Sequence, residues 1–355
     1  MQAVCPDSRM FLDPFCGSGT VLFEALSRGA EAVGSEVNPA AWHLASMVGF
    51  SKLRQAEQSA VIAACRQALD RALRHDNARG IDELVRAIGG IESGIGRLLL
   101  AATLIIGMGN GHTATTDVLQ RSFRTLVSTL AELAANKRGG GHCLLADARK
   151  LGLRGDSIDG VITSPPYINV FNYHQNYRPA VERLGWKPLD AARSEIGANR
   201  KHRQNRFLTV IQYPLDMAAV LNELLRVMKS CAPLVIILGR TSSVLGASFA
   251  NGSMIEGLLS ASGFGRPEKA ERAFVNRYGD RIFEDILIAE RRNGSEIAVS
   301  DAREVGLQSL RTARNTVADK SRQLLEEAID AYLEVSPSPL LTISAPKPFV
   351  EVVAR

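Results

Sequence analysis

The stretch that decides the fold is Asp13-Pro14-Phe15-Cys16-Gly17-Ser18-Gly19-Thr20, which directly follows an apolar run at residues 9–12. Apolar residues at helical spacing then occupy residues 21–28, and a second apolar run at residues 32–35 ends at Glu36. Strand, glycine turn, helix, strand and acidic residue form one βαβ unit. This order predicts an α/β fold with a nucleotide-type pocket at the carboxyl ends of its parallel strands.

The glycine turn has the physical properties of a ligand-binding loop. Gly17 and Gly19 allow a tight bend and bring the backbone close to a ligand where a Cβ would collide. The following helix presents unpaired N–H groups, and Glu36 can accept hydrogen bonds from both hydroxyls of a ribose. Leu22 replaces the third glycine of a dinucleotide fingerprint, and the turn has no lysine of the kind found in phosphate-binding loops. The turn therefore departs from both of those patterns.

A second stretch, Thr163-Ser164-Pro165-Pro166-Tyr167, also follows an apolar strand pattern. An exocyclic amine on a nucleobase has its lone pair delocalised into the ring, so an enzyme that modifies it must hold the amine with hydrogen-bond acceptors. Ser164 and the carbonyl around Pro165 can be those acceptors, because proline fixes the backbone direction. Tyr167 can stack on a base flipped out of a duplex. The alternative is a proline-rich structural turn after a strand.

The first stretch resembles motif I of class I S-adenosylmethionine-dependent methyltransferases, in the form common among DNA and RNA base methylases. Residues 162–167 resemble the signature of cytosine-N4 DNA methyltransferases, where serine replaces the aspartate or asparagine typical of adenine-N6 enzymes. The resemblance implies a Rossmann-like α/β methyltransferase sheet with helices on both faces and S-adenosyl-L-methionine as cofactor. It favours cytosine N4 in DNA as the target. Adenine-N6 methylation, RNA base methylation and a catalytically silent partner subunit remain as alternatives.

The resemblance also implies a role for individual residues. Asp13 and the loop amides would hold the methionine end of the cofactor, Glu36 the ribose and Asp147 the adenine amino group. The residues implied to bind the cofactor are Asp13, Pro14, Phe15, Cys16, Gly17, Ser18, Gly19, Thr20, Glu36, Asn38, Asp147 and Ala148. The residues implied to form the catalytic loop are Ser164, Pro165, Pro166 and Tyr167.

Hydrophobic periodicity divides the rest of the chain into segments. Helices are predicted at residues 53–73, 81–88, 98–108, 119–133 and 217–228, and strands at 143–146, 160–163, 234–239 and 285–289. We therefore expect a first part of the core at residues 1–50, an all-helical insertion at 51–141, a catalytic part at 142–292 and a helical C-terminal extension at 293–355. Residues 346–351 faintly resemble a segment that precedes motif I in related enzymes. A true match would imply a circularly permuted arrangement. We favour the alternative that the match is chance and that the chain is a shortened relative or lacks its natural start.

A basic loop at residues 193–206 predicts contact with a polyanion. The chain carries a formal net charge of +5, and four positive residues and no acidic one lie between Ile196 and Phe207. Such a segment can neutralise phosphates, although it can also be a solvated loop. The residues predicted to contact nucleic acid are Asn169, Arg200, Lys201, Arg203 and Arg206. The expected partner is double-stranded DNA, with a restriction endonuclease or a second subunit as further candidates.

Composition argues against several other classes. The five cysteines are scattered without a Cys-x-x-Cys pair, and no histidine stands at metal-ligand spacing, so we expect neither a disulfide framework nor a metal site. The apolar run at residues 98–108 is shorter than the roughly 18 residues that a membrane helix needs. We therefore expect no membrane partner, and a protein of the reducing cytoplasm associated with the nucleoid.

Overall fold

The computed structural model describes residues 9–75, 77–136, 139–168, 175–198, 202–276, 279–340 and 343–353. The strands within these residues are β1 (Met10–Asp13), β2 (Glu31–Glu36), β3 (Gly141–Leu145), β4 (Gly160–Thr163), β5 (Pro233–Gly239), β6 (Thr241–Val244), β7 (Ala247–Ala250), β8 (Glu268–Val275) and β9 (Arg281–Glu290).

The α-helices come in the same chain order. They are α1 (Thr20–Ser27), α2 (Pro39–Ala45), α3 (Gln55–Ala72), α4 (Asn77–Gly90), α5 (Gly94–Met108), α6 (Thr116–Asn136), α7 (Arg178–Arg183), α8 (Pro188–Ala191), α9 (Leu208–Val227), α10 (Asn251–Ser260), α11 (Val299–Ala313), α12 (Asp319–Asp330) and α13 (Val350–Val353). Short 3-10 helices occupy Ser46–Lys52, Tyr332–Glu334 and Lys347–Phe349.

The chain forms two compact units, each built from three separate segments. The first unit contains residues 1–15, 147–172 and 193–340, and the second contains residues 16–146, 173–192 and 341–355. The segment boundaries expected from the sequence, at residues 50, 141 and 292, remain predictions.

The first unit is built on a mixed sheet of order β1-β4-β5-β9-β8. The strands β1, β4 and β5 are parallel, with Leu12 opposite Val161 and Ile162 opposite Val235. The strand β9 pairs antiparallel with β5, and β8 pairs antiparallel with β9. Parallel strands with crossover helices confirm the predicted α/β class. The carboxyl ends of β1 and β4 lie at the same edge of this sheet, which is where ligands bind in such folds.

The second unit combines the parallel pair β2–β3 with the helices α1 to α6. The helix predicted at residues 98–108 lies within α5, whose residues from Leu98 to Ile105 are all buried. The helices predicted around residues 53–73, 81–88 and 119–133 are present as α3, α4 and α6. No helix in the described ranges is long and apolar enough to cross a membrane.

The segment at residues 346–351, which resembles one that precedes motif I in related enzymes, belongs to the second unit. Phe349 is fully buried, with its ring centroid 4.5 Å from that of His43 and 6.0 Å from that of Trp186. The Trp186 indole N–H donates a hydrogen bond of 2.9 Å to Nε2 of His43. Phe349 is therefore part of this unit's core.

Some elements are longer than their sequence pattern indicated. The helix α9 begins at Leu208 rather than at Met217 and continues through Pro214. A proline usually interrupts a helix because it has no N–H to donate. Nearly every residue of the first half of α9 is buried, so tertiary packing outweighs that local penalty. The hairpin β6–β7 and the edge strand β8 were not predicted, and every residue of β8 is exposed.

Candidate active site

The two motif loops leave neighbouring strands of the first unit. Asp13 ends β1 and Thr163 ends β4, and these strands pair in parallel. The Thr163 hydroxyl donates a hydrogen bond of 2.6 Å to Oδ1 of Asp13, and the Phe15 N–H donates one of 3.1 Å to the same oxygen. This side-chain contact therefore links Asp13, the first residue of the stretch 13–20, to Thr163, the first residue of the stretch 163–167.

The Asp13 carboxyl group is buried, with 3% of the residue exposed. Burial raises its pKa to about 6, although the hydrogen bonds from Thr163 and Phe15 oppose that rise. An aspartate that holds a proton to such a pH lies in a site with little water. Carboxyl groups with a raised pKa cluster at functional sites, so Asp13 is a candidate site residue.

The raised pKa of Asp13 predicts a pH-dependent difference between the native protein and Asp13→Asn. In acid the carboxyl is protonated both folded and unfolded, so no penalty exists. As the pH rises from about 4 to about 7, the unfolded chain ionises first, and the native protein should lose about 3 kcal/mol of stability relative to the variant. Urea unfolding across this range measures the difference. The exposed Asp70→Asn is the control, and a constant difference at all pH values would contradict the prediction.

The glycine turn itself, residues 16–19, belongs to the second unit. The Cys16 N–H donates to the Ser35 carbonyl at 3.1 Å, and the Gly19 N–H donates to the Cys16 carbonyl at 2.8 Å. Gly17 and Gly19 have φ angles of +53° and +92°, which strongly favour glycine. A Cβ at Gly17 would meet nothing within 4 Å. The turn therefore has an open side that a ligand can approach.

Glu36, predicted to bind ribose, lies beside this turn at the end of β2. Its Oε2 accepts a hydrogen bond of 3.0 Å from the Gly17 N–H, and its Oε1 accepts bonds from the N–H groups of Val37 and Asn38. The Asn38 side chain in turn caps α2 by accepting from the Ala40 N–H. Glu36 thus fixes the shape of the turn in addition to any contact with a ligand.

The Ser-Pro-Pro-Tyr loop follows β4 directly. Ser164 is exposed, Pro165 is buried and Tyr167 is half-buried, and the hydroxyl oxygens of Ser164 and Tyr167 lie 3.5 Å apart. A Cβ at Gly239, the last residue of β5, would lie 3.0 Å from Cε2 of Tyr167, so the ring lies directly against this glycine. Gly197 has a φ of +72°, and a Cβ there would collide with the Tyr167 carbonyl oxygen. Two glycines therefore determine how Tyr167 is held.

Asp147, predicted to receive the adenine amino group, is engaged in a buried ionic cluster of the first unit. Its two oxygens accept hydrogen bonds from Nε and Nη2 of Arg149 at 2.9 and 2.6 Å. Nη1 of Arg149 also donates to Asp216 at 2.9 Å and to the Ser338 carbonyl at 2.7 Å. Asp147 therefore has a structural role within the protein, and its contact with adenine remains a prediction. Ala148 is buried beside it.

The predicted nucleic-acid contacts are described only in part. Asn169, Arg200 and Lys201 lie outside the described residues. Arg203 is exposed and Arg206 is half-buried, in the segment that leads into α9. Their contact with phosphate remains a prediction.

Sequence reasoning missed four residues that shape the site. Thr163 is the first residue of the second motif, but the sequence analysis gave it no role, and its position at the end of a predicted strand was the available signal. Arg149 stands two residues after Asp147, so an ion pair between neighbours could have been suspected. Gly197 and Gly239 gave no sequence signal, because their importance lies in contacts with the distant Tyr167.

The fold and this site define a Rossmann-like α/β protein with a glycine turn after its first strand and a diproline loop after a neighbouring strand. Residues 2–78 match a family described as conserved hypothetical protein 95. No curated protein matches the chain. Among solved structures, a SAM-dependent methyltransferase from Methanosarcina mazei is similar at 14% sequence identity and a TM-score of 0.36, covering 81% of this chain and 93% of that one. The fold class therefore rests on the strands, helices and register described above.

Proposed function

We propose that this protein is an S-adenosylmethionine-dependent methyltransferase that modifies the exocyclic amine of a nucleobase, with cytosine N4 in DNA as the favoured target. The hydrogen bond between Asp13 and Thr163 carries the proposal. It joins the start of a cofactor-type loop to the start of a catalytic-type loop, at the sheet edge where α/β enzymes bind ligands. Either motif alone could be a structural turn, and the contact between Asp13 and Thr163 within the first unit is the observation that favours a functional role for both.

The residues of the glycine turn fit the proposed cofactor. The space beside Gly17 leaves room for a ligand, and Glu36 has a carboxylate at the strand end where a ribose would be held. The turn precedes the N-terminus of α1, which offers backbone N–H groups to polar or anionic atoms. When bound, S-adenosylmethionine supplies an electrophilic methyl group.

The residues of the diproline loop would hold the amine that receives this methyl group. The Ser164 hydroxyl oxygen, which is exposed, accepts a hydrogen bond from the exocyclic N–H. The backbone carbonyl of Pro165 provides a second acceptor in a fixed direction. Two such bonds favour a pyramidal amine nitrogen whose lone pair is no longer delocalised into the ring of the base. The Tyr167 ring supports the base by stacking on it. The protein acts here by position and electrostatics rather than as a covalent nucleophile.

Serine is a weaker acceptor than a carboxylate, which is why we favour cytosine over adenine as the target base. Double-stranded DNA is the proposed substrate, and the basic loop that includes Arg203 would neutralise its phosphates. Similar loops occur in adenine-N6 DNA methylases and RNA base methyltransferases, and these are the second candidates.

The test is transfer of a labelled methyl group from S-adenosylmethionine by the purified full chain. Calorimetry first measures cofactor binding. Methyl transfer is then compared between reactions that contain duplex DNA, RNA transcripts or no nucleic acid. We expect label in duplex DNA. Label in transcripts alone would replace DNA by RNA as the substrate, and binding without transfer would favour a silent partner subunit. A chain that does not bind the cofactor would overturn the proposal.

Gly239 provides a prediction about how Tyr167 acts. In Gly239→Ala the new Cβ would lie 3.0 Å from the Tyr167 ring, so the ring must shift by a few tenths of an ångström or more. We expect roughly tenfold slower methyl transfer with unchanged cofactor affinity, because small misplacements of a positioning group slow catalysis steeply. Steady-state kinetics and calorimetry measure both quantities. Gly89→Ala in α4, whose new Cβ meets nothing within 4 Å, is the matched control. Full activity in Gly239→Ala would show that the Tyr167 position is unimportant.

A further inference from the structure

Two thiols lie side by side in the second unit, and one of them is on the glycine turn. Sγ of Cys16 is 3.4 Å from Sγ of Cys143, although the residues are 127 positions apart in the chain. A disulfide requires a sulfur–sulfur distance of about 2.05 Å, so the two atoms are in contact but are not bonded. A closure of roughly 1.3 Å would join them.

Gly34 explains why these thiols meet. It lies on β2 directly opposite Cys143 on β3. A Cβ at Gly34 would lie 2.8 Å from Sγ of Cys16, so any side chain there would occupy the space that this sulfur uses. The Cys16 N–H is also bonded to the carbonyl of Ser35, next to Gly34. The approach of the two sulfurs is therefore built into the backbone of the β2–β3 pair.

The two cysteines differ in their access to solvent. Cys16 is 5% exposed, whereas Cys143 is partly exposed and is one of the residues that line an open cleft of about 360 Å³. Lys52 and His142 line the same cleft. A small oxidant can therefore reach Cys143 more readily than Cys16, and oxidation of thiols follows their exposure.

We propose that Cys16 and Cys143 are a peroxide-sensitive thiol pair, and that their disulfide weakens cofactor binding by the glycine turn. The Cys143 thiolate attacks hydrogen peroxide, breaks its O–O bond and becomes a sulfenic acid, while hydroxide leaves. The Cys16 thiolate then attacks the Cys143 sulfur, the S–S bond forms, the S–O bond breaks and a second hydroxide leaves. In total two thiols lose two electrons and two protons, and one peroxide becomes two waters.

The effect on the cofactor follows from the place of Cys16 in the turn and rests on the proposed function. Its carbonyl accepts the hydrogen bond from Gly19, and the next residue, Gly17, donates to Glu36. A disulfide would pull Cys16 toward β3 and disturb both contacts. We expect at least about tenfold weaker binding of S-adenosylmethionine after oxidation, restored by dithiothreitol.

Peptide mapping of the full chain after brief exposure to hydrogen peroxide tests the thiol pair. Alkylation of remaining thiols, proteolysis and mass spectrometry should reveal a Cys16–Cys143 linked peptide that is two hydrogen atoms lighter than the separate peptides. The link should form in the native chain and in Cys231→Ser, which alters an exposed thiol, and should be absent from Cys143→Ser. Cys65 should remain reduced, because burial raises the pKa of its thiol to about 12. A native chain that forms no link would overturn the proposal.

Calorimetry of the reduced and oxidised chains then tests the consequence for the cofactor. Weaker binding by the oxidised chain, with no such change in peroxide-treated Cys143→Ser, is the expected result. Equal affinities of the linked and reduced chains for S-adenosylmethionine would overturn the proposal that the disulfide weakens cofactor binding. A reduced chain that binds no S-adenosylmethionine would instead contradict the proposed function, while the linked peptide would still decide whether the thiol pair is oxidised.

Discussion

Ser164→Ala is expected to lower the rate of methyl transfer by about 100-fold or more, while the affinity for S-adenosylmethionine stays unchanged. Ser164 is exposed in the loop that follows β4, and its hydroxyl is the side-chain acceptor that we propose for an exocyclic amine. If so, its removal should leave the amine nitrogen of the base conjugated with the ring. Because Ser164 lies outside the glycine turn, its loss should not alter the cofactor contacts. Initial rates with labelled cofactor and calorimetric affinities measure the two effects separately.

Matched variants separate this effect from general damage to the protein. Ser300→Ala removes an exposed hydroxyl on α11 and should leave both quantities unchanged. Tyr167→Phe keeps the stacking ring and should retain most activity, whereas Tyr167→Ala should lose it. Loss of cofactor binding in both Ser164→Ala and Tyr167→Ala would show that the diproline loop holds the cofactor rather than the base.

Arg149→Met is expected to produce the largest loss of stability, about 3–5 kcal/mol in the free energy of unfolding. The Arg149 side chain is 5% exposed and lies between the carboxylates of Asp147 and Asp216, which are 6% and 0% exposed. Without the guanidinium, two buried negative charges remain uncompensated. The segment around Ser338, whose N–H and hydroxyl both bond to Asp216, would lose its attachment to Arg149 as well. Urea unfolding measures the change.

The controls for this cluster are variants that leave its charges balanced or that remove a charge at the surface. Asp216→Asn leaves one cation facing one anion, so it should be clearly less destabilising than Arg149→Met. Arg314→Met removes an exposed ion pair with Glu326 and should change the free energy of unfolding far less than Arg149→Met does, because solvent screens the pair. Similar losses in Arg149→Met and Arg314→Met would show that the buried cluster contributes no more than a surface pair.

The parts of the fold that were predictable are those with a local pattern. The strand before Asp13, the helix after Gly19 and the strand ending at Glu36 each have a short repeat of apolar residues and a recognisable boundary, and all three are present. The strand β4 was predicted at its exact bounds for the same reason. Hydrophobic periodicity fails where packing outweighs propensity, as in the first half of α9 around Pro214.

The site was predictable as two motifs but not as a set of contacts. The bond between Asp13 and Thr163 joins residues 150 positions apart, and no sequence pattern specifies such a pairing before the strand order is known. For Asp147, the family resemblance implied a contact with the cofactor. The structure shows a buried ion pair with Arg149 that the sequence analysis did not predict. The role of Gly239 depends entirely on where the Tyr167 ring lies.

The most direct test of the proposed chemistry is to identify the methylated nucleoside. Duplex DNA incubated with the protein and S-adenosylmethionine is digested to nucleosides, which are separated and analysed by mass spectrometry against N4-methylcytosine and N6-methyladenine standards. We predict N4-methylcytosine in reactions with the native chain, and a rate of its formation that is lower by about 100-fold or more with Ser164→Ala. N6-methyladenine would correct the target base, and unmodified nucleosides from a chain that binds the cofactor would contradict the assignment as a DNA methyltransferase.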